Sequence, residues 1–162
     1  MSSYTPVPGK EIAEFATSDL VLLKDVHEGW YVEYKRELPN PKSIAKSISA
    51  FANTYGGWLF IGVEESSKSN NAAGSCPGIP NAELDVAMQV IRQSVAGHLN
   101  PTPHFEAQVL FGPSGQVGLD QGRCVICIQV MQSPLAPHVH SSGIIYRRVS
   151  DSSEPKPEND RH

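Results

Sequence analysis

Ser49-Ala-Phe-Ala-Asn-Thr-Tyr-Gly-Gly-Trp-Leu-Phe-Ile-Gly-Val-Glu-Glu65 decides the fold of this chain. Phe51 and Ala52 continue an apolar series begun by Ile44 and Ile48, at i, i+4, i+7 and i+8, the spacing of one helix face. Gly56 and Gly57 stop that helix. Trp58 to Val63 is then apolar on both faces apart from its glycine, as a strand covered by two layers must be, and Glu64 and Glu65 end it.

Working outward, Pro39, Asn40 and Pro41 break the chain ahead of the helix. Before the break, Trp30 to Glu37 alternates: Trp30, Val32 and Tyr34 face one way, and Tyr31, Glu33, Lys35 and Glu37 the other. The pattern is that of a half-buried strand with charge on its open face. Upstream, Ile12, Phe15, Leu20 and Leu23 recur at roughly helical spacing between Glu11 and Lys24, which gives a short helix interrupted at Thr17, Ser18 and Asp19. Downstream, Ser66 to Pro80 is rich in Ser, Asn, Gly and Pro and reads as loop. Leu84, Met88, Ile91 and Val95 mark a second helix in Asn81 to Leu99, ended by Asn100 and Pro101. His104 to Phe111, Arg123 to Met131 and Gly143 to Val149 read as strands. Helices and strands interleave in one α/β (α+β) domain over residues 11–150. Residues 1–10 read as a flexible N-terminus and 151–162 as a disordered charged tail.

At 162 residues the chain holds one hydrophobic core and not two ordinary domains. No apolar run approaches the roughly 20 residues that span a bilayer, and the N-terminus lacks a signal-peptide pattern, so a cytoplasmic location is the expectation. Three cysteines offer no disulfide framework. Cys124 and Cys127 are three apart in a strand, so they point to opposite faces and suit burial better than a shared zinc. His138 and His140 share a face, as a Pro-flanked surface pair. The net charge of -4 excludes coating nucleic acid by bulk electrostatics, which leaves a local basic patch as the means of binding phosphates. Neither GxxxxGK[ST] nor GxGxxG occurs, which argues against a P-loop ATPase.

Two constellations bear on chemistry. Glu28, Glu33 and Glu65 offer hard oxygen ligands of the kind that hold Mg²⁺ or Mn²⁺ in nucleases. Glu28 and Glu33 are five apart, so one continuous strand would put them on opposite faces. Glu28 must lie in the preceding loop if the two cooperate, and Gly29 permits the bend. On spacing alone, solvated surface carboxylates are the stronger reading. Lys35, Arg36, Arg147 and Arg148, joined by Lys42 and Lys46 on the helix's open face, form a candidate phosphate-binding group. A mixed-charge surface with ordinary ion pairs fits the same residues.

The run Glu33-Tyr-Lys-Arg, followed by the stretch from Ser49 to Glu65, resembles the hallmark of the Schlafen AlbA-like domain: an E-[FY]-K strand, then AFANT-x-GG-x-L-x-[IF]-GV and acidic residues. Ile128-Gln-Val-Met-Gln-Ser-Pro and Gly143-Ile-Ile-Tyr-Arg-Arg resemble the family's later pattern, so the likeness runs from about Glu28 to Ser150. It implies a mixed sheet flanked by helices and an association with nucleic acid. In animal Schlafen proteins two such lobes pair into a clamp with endoribonuclease activity on structured RNAs such as tRNA, and three acidic residues serve that activity. Their places fall on Glu28, Glu33 and Glu65, the last where the family pattern would have aspartate. The resemblance thus implies a divalent-metal-dependent endoribonuclease, with RNA favoured over DNA. The three glutamates would hold Mg or Mn, and Lys35 and Arg147 would contact phosphates. A chain with one lobe would form a homodimer. The alternatives are a non-catalytic DNA-binding or transcriptional regulatory module and a protein-interaction domain.

Overall fold

A computed structural model describes residues 4–157. Among these, two 3₁₀ segments, Ile12–Glu14 and Thr17–Asp25, precede β1 (Val32–Lys35), α1 (Pro41–Ala52), β2 (Gly57–Ile61), β3 (Glu64–Glu65), β4 (Ala73–Ser75) and β5 (Ile79–Pro80). A 3₁₀ turn then leads into α2 (Leu84–His98), β6 (Leu99–Asn100), β7 (Phe105–Phe111), β8 (Arg123–Val130), β9 (Val139–His140), β10 (Tyr146–Val149) and β11 (Ser152–Pro155). No helix in this range is long and apolar enough to cross a membrane.

The central sheet runs β1-β2-β8-β5, with β7 on the other side of β8. β1 and β2 are parallel, Val32 opposite Trp58 and Lys35 opposite Ile61, whereas β2, β5 and β7 all pair antiparallel with β8. The sheet is therefore mixed, with β1 and β2 side by side. Between them α1 makes the crossover. Asn40 caps it, its side-chain oxygen accepting from the Ser43 N–H at 2.9 Å, and Pro41 occupies the first turn, where a missing N–H costs nothing.

One face of the sheet packs on α1 and α2 through Ile44, Ile48, Phe51, Leu59, Ile61, Ile91, Ile126 and Ile128. The other is covered by the N-terminal segments, with Phe15, Leu20 and Leu23 against Trp58, Phe60 and Cys127. Cys124 lies in the first cluster and Cys127 in the second, on opposite faces as the strand period requires.

The two glycines that stop α1 do different work. Gly56 has φ +76°, and its N–H returns to the Phe51 carbonyl at 2.8 Å. At Gly57 a Cβ would lie 2.2 Å from the Phe51 ring, so only glycine lets that ring fill the helix–sheet layer.

Several expectations need correction. The stretch Glu11 to Lys24 is 3₁₀ rather than α-helical; three residues per turn place Leu20 and Leu23 on one buried face. Within the expected flexible N-terminus, residues 4–10 are partly packed, because Val7 is buried in the core. Ser66 to Pro80 contains β4 and β5, and β3 pairs with β4 through a bulge at Glu64/Glu65. In the tail, β11 pairs with β10, while residues 158–162 lie outside the described residues, as do 1–3 at the other end. His138 and His140 are buried, not a surface pair: His138 contacts the Pro101 carbonyl and Ser133 Oγ, and His140 the Lys42 carbonyl.

Candidate nucleic-acid interface

The edge of β1 organises the site. Glu28 sits just ahead of the strand in the loop that its spacing demanded. It is held there by backbone bonding, its N–H donating to the Asn71 carbonyl at 3.2 Å. The Asn71 amide donates back to the Glu28 carbonyl at 3.4 Å, and His27 bridges Ala72. Asn71 and Ala72 belong to the loop of the β3–β4 hairpin, whose first strand holds Glu65 opposite Ala73. Glu28 and Glu65 thereby come to the same groove from positions far apart in sequence. Tyr34, Lys35, Arg36, Val63, Glu64, Ser66, Ser67 and Lys68 complete its lining.

Charge in this groove is mixed and closely spaced. Arg36 lies 3.6 Å from Glu64, and both are well exposed. Half-buried Glu28 is pushed up to about 7, chiefly by loss of water, then by repulsion from Glu65 and Glu33, with Arg148 and Lys35 acting against the rise. A carboxyl titrating near neutrality in a groove with basic neighbours can bind or release a proton at working pH.

The sign of a pH effect follows. Because the folded protein holds the Glu28 proton more tightly than the unfolded chain, whose value is the ordinary 4.5, this proton favours folding at low pH. The advantage is lost as pH rises from about 4.5 towards about 7. Glu28→Gln should therefore raise stability at pH 8 by about 1 kcal/mol, after discounting for solvent screening of a half-exposed group, and should gain nothing at pH 4. Urea unfolding at both pH values checks this; an equal gain at both would remove the electrostatic explanation.

Glu33 behaves differently from its two partners in the proposed triad. Val32 and Tyr34 face one core, but the opposite face is not open as the charged alternation suggested, and Glu33 is buried. Its Oε1 accepts from Arg148 Nη1 at 2.5 Å and its Oε2 from Ser47 Oγ at 2.6 Å, with Lys35 Nζ 4.0 Å away. Arg148, brought in by the β10–β11 ribbon, is fully buried. Its Nε donates to the Gly29 carbonyl at 2.9 Å and its Nη2 to that of Val32 at 3.0 Å, and its guanidinium lies over the Phe51 ring. Arg148 is thus not a phosphate ligand. It closes the polar edge of β1 and holds the turn that presents Glu28.

A divalent cation does not fit the three glutamates as arranged. Both Glu33 oxygens are taken, and among the described residues no group of three His, Cys, Asp or Glu side chains is placed to hold a metal. The remaining basic candidates divide between two places. Lys35 and Arg36 border the groove, joined by Lys68, which sequence reading passed over because it stands alone in a Ser/Asn loop. Lys42 and Lys46 are exposed on α1, Lys46 over the Tyr146 ring at 5.3 Å, and half-buried Arg147 lies on β10.

A family model described as Schlafen, AlbA_2 matches residues 28–157. The chain belongs to the Schlafen AlbA_2 family. Its match begins at Glu28 and takes in both walls of the groove, together with the ribbon bearing Arg148. No curated protein matches the chain. Among solved structures it is similar to the DIP2311 protein from Corynebacterium diphtheriae, at 21% identity and a TM-score of 0.43. That alignment covers 78% of this chain and 22% of the other, so the chain spans about a fifth of that protein.

Proposed function

We propose that this Schlafen AlbA_2 domain binds nucleic acid, RNA in preference to DNA, along the groove at the C-terminal end of β1, and that Glu28 is the proton-transfer group of an endoribonuclease acting there on structured RNA. The observation behind this reading is Glu28 itself: a carboxyl near pH 7 beside Glu65, in a groove bordered by Lys35, Arg36 and Lys68. The basic side chains suit phosphate oxygens. The deprotonated Glu28 suits removal of a proton from a ribose 2′-hydroxyl, which attacks the adjacent phosphorus and releases the 5′-oxygen of the next nucleotide. DNA has no such hydroxyl, so this chemistry selects RNA.

The test is incubation of the pure protein with tRNA, single-stranded RNA and duplex DNA, each with Mn²⁺ or with chelator. Cleavage confined to RNA, rising with pH to a plateau above about pH 7 and reduced at least about 100-fold in Glu28→Gln, supports the reading. RNA cleavage unchanged in Glu28→Gln would place the chemistry elsewhere. Loss of cleavage in chelator alone would mean that the groove recruits a cation with fewer protein ligands than a glutamate triad. A second reading, a non-catalytic DNA-binding module, is favoured by one observation: Glu33 is committed to Arg148 and Ser47, a structural use of a residue the family pattern places in the acidic set. Binding of duplex DNA without cleavage of any substrate would support that reading.

A further inference from the structure

At the other end of β1 the surface changes character. Tyr4, Trp30, Tyr31 and Tyr55 are all exposed, at 39%, 43%, 37% and 55%. They form a connected group: Tyr4 stacks on Tyr31 at 5.0 Å, and Tyr55 lies 5.8 Å from Trp30 and 6.4 Å from Tyr31. Tyr4, Tyr31 and Tyr55 line a cleft of about 350 Å³ together with Gly56, Gly57, Trp58 and the segment Gln129 to Gln132. The cleft falls within the size range of small-ligand pockets.

We propose that this cleft is a stacking site for an unpaired nucleobase, next to the backbone groove; the inference rests on the nucleic-acid reading given above. Open aromatic faces accept any base, and that contact does not depend on salt. The amides of Gln129 and Gln132, which make no hydrogen bond among the described residues, supply donors and acceptors for a base edge. No carboxylate lines the cleft itself; Glu106 on β7 stands beside it, opposite Gln129. The cleft and the groove are also joined by β1: Trp30 and Tyr31 precede the strand, and Lys35 and Arg36 end and follow it. Four residues of strand put them roughly 13 Å apart, within reach of one short single strand.

Fluorescence anisotropy with three probes of equal length tests the site: a single-stranded RNA, the same backbone with abasic residues, and a blunt RNA duplex. Wild type should prefer the single strand over the abasic probe by about 10-fold or more, as expected for a stacked base. Tyr55→Ala and Tyr31→Ala should erase that preference and leave duplex binding unchanged, while Tyr55→Phe keeps it. Tryptophan emission should fall on adding the single strand, because Trp58 lines the cleft and Trp30 lies 5.8 Å from Tyr55. Wild-type preference in Tyr55→Ala, or an equal loss on all three probes, overturns the proposal. So does light scattering in which Tyr55→Ala dissociates a dimer while leaving RNA binding intact, which would make the cleft a self-association surface. Duplex binding without single-strand preference sinks this inference alone; binding to no probe sinks the groove reading with it.

Discussion

Arg148→Met should destabilise the protein by about 3–5 kcal/mol, the range for breaking a buried ion pair from one side. Methionine fills similar volume but leaves Glu33 charged and buried with only Ser47 donating to it, frees the Gly29 carbonyl and leaves that of Val32 with the Gly29 N–H alone. Arg148→Lys should recover little, because one ammonium cannot meet two carbonyls and a carboxylate fixed around a planar guanidinium. Adding Glu33→Leu to Arg148→Met should restore part of the loss, since the orphaned charge is then gone, and a double-mutant cycle in urea would measure the coupling. A midpoint shift equivalent to less than about 1 kcal/mol in Arg148→Met would show that the pair is not what closes the β1 edge.

Asn53→Ala should cost about 3 kcal/mol, at roughly 1 kcal/mol for each of three hydrogen bonds. The Asn53 side-chain oxygen accepts from the His138 N–H at 2.7 Å, and its amide donates to the His138 and Tyr146 carbonyls at 3.1 and 2.9 Å. These bonds tie the end of α1 to the segments before and within β10. Urea unfolding gives the magnitude. Limited proteolysis should show earlier cleavage between residues 138 and 156 than in wild type. Asn53→Asp keeps the acceptor and loses both donors, so it should fall between the two; an Asp variant as stable as wild type would show that the donors contribute nothing.

Asn53 also shows what the sequence made legible. It stands at the end of α1, shortly before two glycines, where an amide side chain can meet free backbone groups, and it makes three such bonds. The α1, β2, α2 and β8 segments were readable because each is covered on faces that a period of 3.6 or 2 marks out. Glu33 was not. A strand reading Val-Glu-Tyr-Lys looks half-solvated until a guanidinium from 115 residues away covers the charged face, and no local pattern announces that partner. The approach of Glu28 to Glu65 was legible in part, since the odd spacing forced Glu28 into a loop. The hairpin joining the two was hidden in a Ser/Asn/Gly composition that reads as turn. Ser152–Pro155 was misjudged for a similar reason: a polar, charged strand has no apolar alternation, and its order comes from pairing with β10.

The position of Arg148 has a consequence for the time course of synthesis. The ribosome releases β1, α1 and β2 long before the β10–β11 ribbon, so the nascent sheet must wait with Glu33 lacking its cation. Until that ribbon docks, only Ser47 on α1 and Lys35, 4.0 Å away, offset the cost of burying Glu33. The sheet edge and the Glu28 turn are therefore completed by strands that emerge well after the sheet they close. A chain that stalls, or is cut, ahead of residue 148 presents an open strand edge to whatever lies nearby.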